Sequence, residues 1–308
     1  MRHLISLDDL TDDDLRAIVR RAVRLAERPR ATYSTLDGAV VGIHFRKTST
    51  RTRTAFSAGA LRLGARIIAY GPDDLQTNTG ESIEDTGRVL SSMLDFLVAR
   101  TAADPAELRA IAAQDRMAVV NAMSADEHPT QALADLTTIV QRFGRVDGVR
   151  MLYLGEGNNT AAALALALSR FPGTELHLRT PPGYGVDPDV LERAGKHAAR
   201  HGSSIVERHD VLDLPGGVDI VYTTRWQTTG TSKPDPDWRT VFAPFQVTAD
   251  LWRTSPDALF LHDLPAHRGE EVTADVLDGP RSIAFAQAEN KLYSAMAALE
   301  WCGGEDLA

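Results

Sequence analysis

The run AVVGIHF at residues 39–45 leads directly into RKTSTRTRTAF at residues 46–56. The first piece is a short, continuously apolar block rich in Val, of the length and composition of a strand buried on both faces. The second piece turns hydroxyl-rich and basic, and Ala55, Ala58 and Leu61 then recur at helical spacing, so a helix begins near Ser49. A helix start after a strand presents unbonded backbone N–H groups and the positive end of the helix dipole, which favour an anion. Ser49 and the neighbouring threonines add hydroxyl donors, while Arg51 and Arg53 add charge. The guanidinium fork matches phosphate oxygens two at a time. A dianionic phosphate suits this spot; a solvated basic helix end with Ser/Thr caps is the plainer alternative.

Further apolar runs of strand length follow on either side of helical patterns. RIIAY (66–70), DFLVAR (95–100) and MAVVNAM (117–123) alternate with SIEDTGRVLSSML (82–94) and TQALADLTTIVQRFG (130–144). An opening helix spans 11–27, where Thr11 and Asp14 resemble a capping box ahead of Leu15, Ile18, Val19, Ala22 and Leu25. GRVDGVR (144–150) reads as a linker, after which the scheme repeats. MLYLGEG (151–157) is a strand entering a Gly-rich turn, and TELHLRT (174–180), SSIVERH (203–209), VDIVYTT (218–224) and ALFLHDL (258–264) supply four more. A polar, Pro-bearing loop at 228–237 is long enough to move over a cleft, and a last helix spans 288–302. Strands alternating with helices imply parallel sheets covered on both faces.

With 308 residues the chain is long enough for two domains. A formal net charge of -9 argues against nucleic acid or an anionic membrane as partner, so any phosphate site is a local basic pocket in an acidic protein. Cys302 is the single cysteine, and no Cys/His cluster has metal-ligand spacing. The opening MRHLISLDDLTDDDL carries acids where a signal peptide needs an apolar core, and no apolar run approaches the ~20 residues of a membrane helix. A cytoplasmic location is expected.

STRTR after a strand (49–53), Arg100 closing a strand, HPTQ (128–131) and HDLP (262–265) occur in that order. Together they resemble the aspartate and ornithine carbamoyltransferase family, and HDLPAHRGEEVTADVLDGP (262–280) and FAQAENKLYSA (285–295) resemble its ornithine branch in particular. The resemblance implies a carbamoyltransferase that moves the carbamoyl group of carbamoyl phosphate to the amine of an amino acid, with no metal or organic cofactor. It implies two doubly wound parallel-sheet α/β domains, with the active site in the cleft between them. Residues 1–142 would bind carbamoyl phosphate, 143–285 the acceptor, and a C-terminal helix within 286–308 would cross back to the first domain.

By the same resemblance, Ser49, Thr50, Arg51 and Thr52 hold the phosphate. Arg100, His128 and Gln131 surround the carbamoyl group, with Arg100 and His128 aimed at its oxygen, and Arg51, Arg100 and His128 carry the catalysis. Leu264 offers a backbone carbonyl to the carbamoyl NH2, its geometry fixed by Pro265 through a possible cis bond. Lys291 stands where ornithine enzymes have Arg, keeping the charge without the fork. Gln76 matches the family residue that reaches a neighbouring subunit's site, which implies a homotrimer with shared active sites.

On the acceptor side, GEGNN (155–159) stands where the family has a GDGNN-like turn, and Asn159 is the candidate contact. GEGNNTA also echoes a dinucleotide fingerprint, but Thr160 takes the third glycine's place and no ribose-binding acid follows, so a nicotinamide enzyme is a poor reading. Ornithine enzymes carry Asp-x-Trp-x-Ser-Met-Gly, whose Asp binds the α-ammonium. Here TRWQTTG (224–230) puts Thr224 in its place, Arg225 beside it, and Thr228 and Thr229 for Ser-Met. Asp263 replaces the usual Cys of His-Cys-Leu-Pro, and Gly80 stands where a Lys often precedes Glu-Ser. Asp263 would bind an ammonium group, accept a proton, or simply cap a loop amide. These departures suggest an acceptor other than ornithine, with a carboxylate read by Arg225. Ordinary ornithine carbamoylation is the runner-up, and a non-catalytic carbamoyl-phosphate-binding relative is the rival from another class.

Overall fold

The computed structural model describes residues 1–228, 232–305 and 307. Two compact units divide the chain: Met1–Thr137 with Glu289–Ala308, and Thr138–Ala288. In the first, α1 (Asp12–Ala26) begins with the expected capping box, Asp14 N–H donating to Thr11 Oγ1 at 3.1 Å and Thr11 N–H to the Asp14 carboxylate at 3.2 Å. The order is then β1 (Val40–Phe45), α2 (Arg51–Arg62), β2 (Arg66–Tyr70), α3 (Ile83–Leu90), β3 (Phe96–Arg100), α4 (Ala106–Ile111), β4 (Ala118–Met123) and α5 (Pro129–Phe143). The sheet is wholly parallel, ordered β2-β1-β3-β4. β1, β3 and β4 are buried on both faces, which is why they read as unbroken apolar runs. Leu90 and Leu94, with Leu108 and Ile111, pack over Leu97 and Val119 to make the core on one face.

The second unit contains β5 (Arg150–Leu154), α6 (Asn159–Leu168), β6 (Glu175–Arg179), α7 (Pro188–His201), β7 (Ser204–Arg208), β8 (Ile220–Thr223), α8 (Trp238–Phe242), β9 (Leu259–His262) and α9 (Ala274–Leu277). Its parallel sheet runs β7-β6-β5-β8-β9. Phe260, Val221, Leu152 and Leu154 meet Val276 and Leu277 in its core. The last helix, α10 (Ala284–Gly303), begins four residues before the sequence reading put it. From Glu289 onward it belongs to the first unit.

The order in which strands are added reverses once in each sheet. The chain leaves β1 for β2 on one side, then returns to β3 on the other; β5 is likewise flanked by β6 and β8. Loops at the carboxyl ends of such neighbouring strands splay apart and leave a crevice for ligands. In the first unit these ends are Phe45 and Arg100; in the second they are Leu154 and Thr223. The motif residues 46–53 and Arg100, and separately 155–160 and 224–228, follow directly from those ends. Gly157 is obligatory in the second crevice: a Cβ there would lie 2.1 Å from Val186 N, well inside contact distance.

Candidate active site

At the first crevice, Arg46 N–H donates to Arg100 O at 3.1 Å and ties the two loops together. Arg100 Nη1 lies 3.4 Å from Ser49 Oγ. Thr50 is the N-cap of α2 but takes helical backbone angles and makes no side-chain cap bond. The Thr50 hydroxyl therefore does not cap the helix, whose first-turn amides lack intrahelical partners at the positive dipole end. Arg51 is half-buried and Thr52 buried. Arg53 behaves differently from the sequence expectation. It turns back along β1, donating to Phe45 O at 3.3 Å with its guanidinium 5.3 Å from the Phe45 ring centroid. Its guanidinium thus packs against the end of β1.

His128, Gln131 and Lys291 come together in the same unit. Pro129 opens α5 just after His128, and the Thr130 hydroxyl lies 3.3 Å from His128 Nδ1. Gln131 is buried, its amide nitrogen donating to Asp135 at 2.7 Å while Lys291 Nζ donates to its amide oxygen. Burial, then the charges of Lys291 and Arg100, hold the His128 pKa well below the ordinary imidazole value. The ring is thus neutral at neutral pH, with Nε2 carrying the proton if Nδ1 accepts from Thr130. Such a ring donates a hydrogen bond to a carbonyl oxygen without itself gaining charge. Gln76 stands apart: it lies on an exposed 3-10 turn (Gln76–Thr79), its side chain accepting from the Thr79 hydroxyl at 2.6 Å.

His44, buried on β1 with neither ring nitrogen hydrogen-bonded, is depressed to about 4, by burial first and by Arg46 next. His44 and His128 both bind a proton more readily in the unfolded chain. Their folded-state pKa values are lowered, so stability falls as pH drops below the unfolded imidazole value. Each histidine should remove about 1.4 kcal/mol per pH unit below about pH 6.5. Urea midpoints measured at pH 7.5 and 5.5 check this; a midpoint unchanged across that window would contradict it.

In the second unit, Asn158 caps α6, its side-chain oxygen accepting from Thr160 N at 3.0 Å and Ala161 N at 3.2 Å. Its amide nitrogen donates to Thr224 Oγ1 at 3.0 Å and Thr228 Oγ1 at 3.2 Å. Thr224 Oγ1 also lies 2.9 Å from the Tyr153 hydroxyl. Asn158, not only its neighbour Asn159, therefore links the motifs of this crevice. Asn159 is buried in the first turn of α6. Arg225 is half-buried, and among the described residues no carboxylate forms an ion pair with it. Thr229 lies outside the described residues.

Of the 228–237 loop, residues 229–231 lie outside the described residues; Lys233, not singled out by sequence, is buried against the Gly-rich turn after β5. Its side chain is 3% exposed and pairs with Glu156, whose other oxygen accepts from Thr228 at 3.2 Å. The ammonium lies 4.5, 4.6 and 5.4 Å from the ring centroids of Tyr184, Phe242 and Trp238. Aromatic faces and a carboxylate together offset the cost of burying that charge.

After β9, Leu264 N–H donates to His262 Nδ1 at 2.8 Å, and His262 Nε2 lies 3.3 Å from Glu271. Leu264 has a positive φ of 53°, and the Leu264–Pro265 bond is cis, as the sequence suggested. Asp263 accepts from the Thr160 hydroxyl at 3.0 Å. Burial raises the Tyr153 hydroxyl pKa well above its usual value, and the charges of Asp263, Glu156 and Glu207 add to the effect. Among the described residues no group of His, Cys, Asp and Glu has the arrangement of a metal site, and no helix is long and apolar enough to cross a membrane.

These features fit what comparison with known proteins shows. Residues 2–141 match the carbamoyl-P binding domain of aspartate/ornithine carbamoyltransferase, and residues 147–302 match its Asp/Orn binding domain. The ornithine carbamoyltransferase of Thermococcus kodakarensis is 38% identical over 97% of this chain and 95% of its own length. That of Symbiobacterium thermophilum is 40% identical over 96% of each chain. The solved ornithine carbamoyltransferase of Pyrococcus furiosus superposes with a TM-score of 0.90 at 37% identity, covering 97% of this chain and 96% of that one. The chain is a carbamoyltransferase and belongs to the aspartate/ornithine carbamoyltransferase family.

Proposed function

We propose that the protein is a cytoplasmic homotrimer that transfers the carbamoyl group of carbamoyl phosphate to the side-chain amine of an amino acid, with ornithine as the leading acceptor. The observation that supports the donor half is the start of α2, where no side chain caps the helix and Arg100 Nη1 lies 3.4 Å from Ser49 Oγ. Phosphate sits on those amides with Ser49, Thr50, Arg51 and Thr52. Arg100 and His128 donate to the carbonyl oxygen as it gains charge, and Gln131, steered by Lys291, lies beside the carbamoyl group. Preorganised donors of this kind need no reorganisation as charge develops. Ornithine leads because relatives with that name match this chain from end to end. The trimer rests on family likeness, on exposed Gln76, and on the apolar side chains Leu61, Ile68 and Met93, which stand exposed in the first unit.

A specific observation favours a second reading. Thr224 occupies the position where ornithine enzymes place an aspartate, and its hydroxyl is engaged by Tyr153 and Asn158. Arg225 beside it has no carboxylate partner among the described residues. An acceptor carrying a carboxylate for Arg225 and no α-ammonium at position 224 would suit that pattern. The two readings separate in one assay: carbamoyl phosphate is offered with ornithine, shorter diamino acids, lysine and acidic amino acids, and products are weighed by mass spectrometry. Ornithine with the highest kcat/KM supports the first reading. Little product from ornithine and efficient carbamoylation of a shorter or acidic amine supports the second. No product from any amine would overturn both.

A further inference from the structure

A buried ammonium group sits beside the second crevice. The Lys233 side chain is 3% exposed, and its Nζ donates to the Glu156 carboxylate inside a box made by the Tyr184, Phe242 and Trp238 rings. Those rings pack closely on their own: Trp238 and Phe242 meet edge to face at 5.3 Å, and Trp226 packs on both at 6.4 and 5.7 Å. An apolar side chain of similar length would fill the box without a desolvation cost. Exchanging a buried ion pair for packed apolar groups is often neutral for stability. A charge at this place therefore calls for a role besides packing.

The hydrogen bonds around Glu156 all run toward it. Its carboxylate accepts from Lys233 and, at 3.2 Å, from the Thr228 hydroxyl, while its backbone carbonyl accepts the Tyr153 hydroxyl at 2.6 Å. With the Tyr153 proton committed there, the Thr224 hydroxyl is the donor in its 2.9 Å contact with Tyr153. Both threonine oxygens accept from the Asn158 amide, at 3.0 and 3.2 Å, and the Asn158 oxygen caps α6. One carboxylate thus orients Thr228 and, through Asn158, both Thr224 and the start of α6. Trp226, which lies between the two threonines in sequence, rests on rings that also enclose Lys233.

We propose that Lys233 is a positioning residue for the acceptor amino acid, holding Glu156 in place so that the Thr228 hydroxyl and the Asn158 amide keep one arrangement at the second crevice; this rests on the carbamoyl-transfer reading above. Lys233 acts through Glu156 and takes no part in the chemistry. Such a network holds the acceptor alike in the ground and transition states, so its loss shows in acceptor KM and not in kcat.

The test uses the full-length protein with carbamoyl phosphate and its best acceptor from the amine panel. K233M fills the ring box without the charge. Its acceptor KM should rise about tenfold or more, because a small misplacement transmitted from a distance is costly. Its kcat and carbamoyl phosphate affinity should stay within about threefold of wild type. Its thermal midpoint should barely move, which separates positioning from loss of structure. E156Q keeps the shape and weakens the pair, so it should raise acceptor KM in the same way. The K233M/E156Q double variant should then resemble either single one, because the two residues act as a unit. An acceptor KM within about threefold of wild type in K233M, or fully additive effects of the two substitutions, would overturn the proposal while leaving carbamoyl transfer intact. If K233M does not fold, E156Q decides alone, and an unchanged acceptor KM there overturns it. A wild-type protein that carbamoylates no amine would instead remove the reading on which it rests.

Discussion

Replacing Arg51 with alanine is expected to weaken carbamoyl phosphate binding by about 150-fold or more, with the fold retained. Arg51 opens α2, where the amide donors and the dipole already favour an anion. A guanidinium adds a charge-assisted fork, and each such bond contributes about 1.5–3 kcal/mol. Losing two of them together removes at least about 3 kcal/mol, which is the stated factor. The position is half-buried at a helix start and outside the apolar core, so the circular-dichroism melt should move little. Lysine at the same place should recover only part of the affinity, because a point charge lacks the fork. Calorimetric titration of both variants checks the claim; near-normal affinity in Arg51→Ala would contradict it.

His128→Ala should leave donor binding within about tenfold and lower kcat by about 10²–10³, the usual cost of removing one oxyanion donor. The reason lies in the ring's charge state. Burial and the neighbouring Lys291 and Arg100 keep it neutral, so it acts as a hydrogen-bond donor whose effect grows as the carbonyl oxygen gains charge. It follows that the wild-type kcat should show no acid limb near the ordinary imidazole pKa of about 6.5. A pH profile with a clear break there, lost in His128→Ala, would mean that the ring titrates during turnover and that its role has been misassigned.

The sheets were legible because parallel strands buried on both faces must be apolar without interruption, as at β1, β3, β4 and β8. Helix starts were legible where a side chain caps them, as Thr11 does for α1. Contacts that close only in three dimensions were not. Nothing in the neighbouring sequence announces that Tyr184, Glu156 and the α8 residues Trp238 and Phe242 surround Lys233, since they come from three separate segments. The same holds for Arg53, whose neighbours in sequence are anion-binding candidates but whose side chain reaches back to Phe45.

The acceptor half shows the limit most clearly. The sequence pointed to Asn159, which is buried in the first turn of α6; what it did not reveal is that Asn158 spans Thr224 and Thr228 through its amide. Either asparagine of an Asn-Asn pair satisfies the motif; only the cap geometry of α6 tells them apart. Asp263 was visible as a departure, but its three possible roles were equivalent on paper. In the structure its carboxylate accepts from the Thr160 hydroxyl.

The most direct measurement is a calorimetric titration of the purified protein with carbamoyl phosphate, alone and with a saturating amino acid. One site per chain, with a dissociation constant between about 1 μM and 1 mM and competition by inorganic phosphate, is the expected result. The absence of any binding under both conditions would contradict the assignment of the α2 start as the donor site.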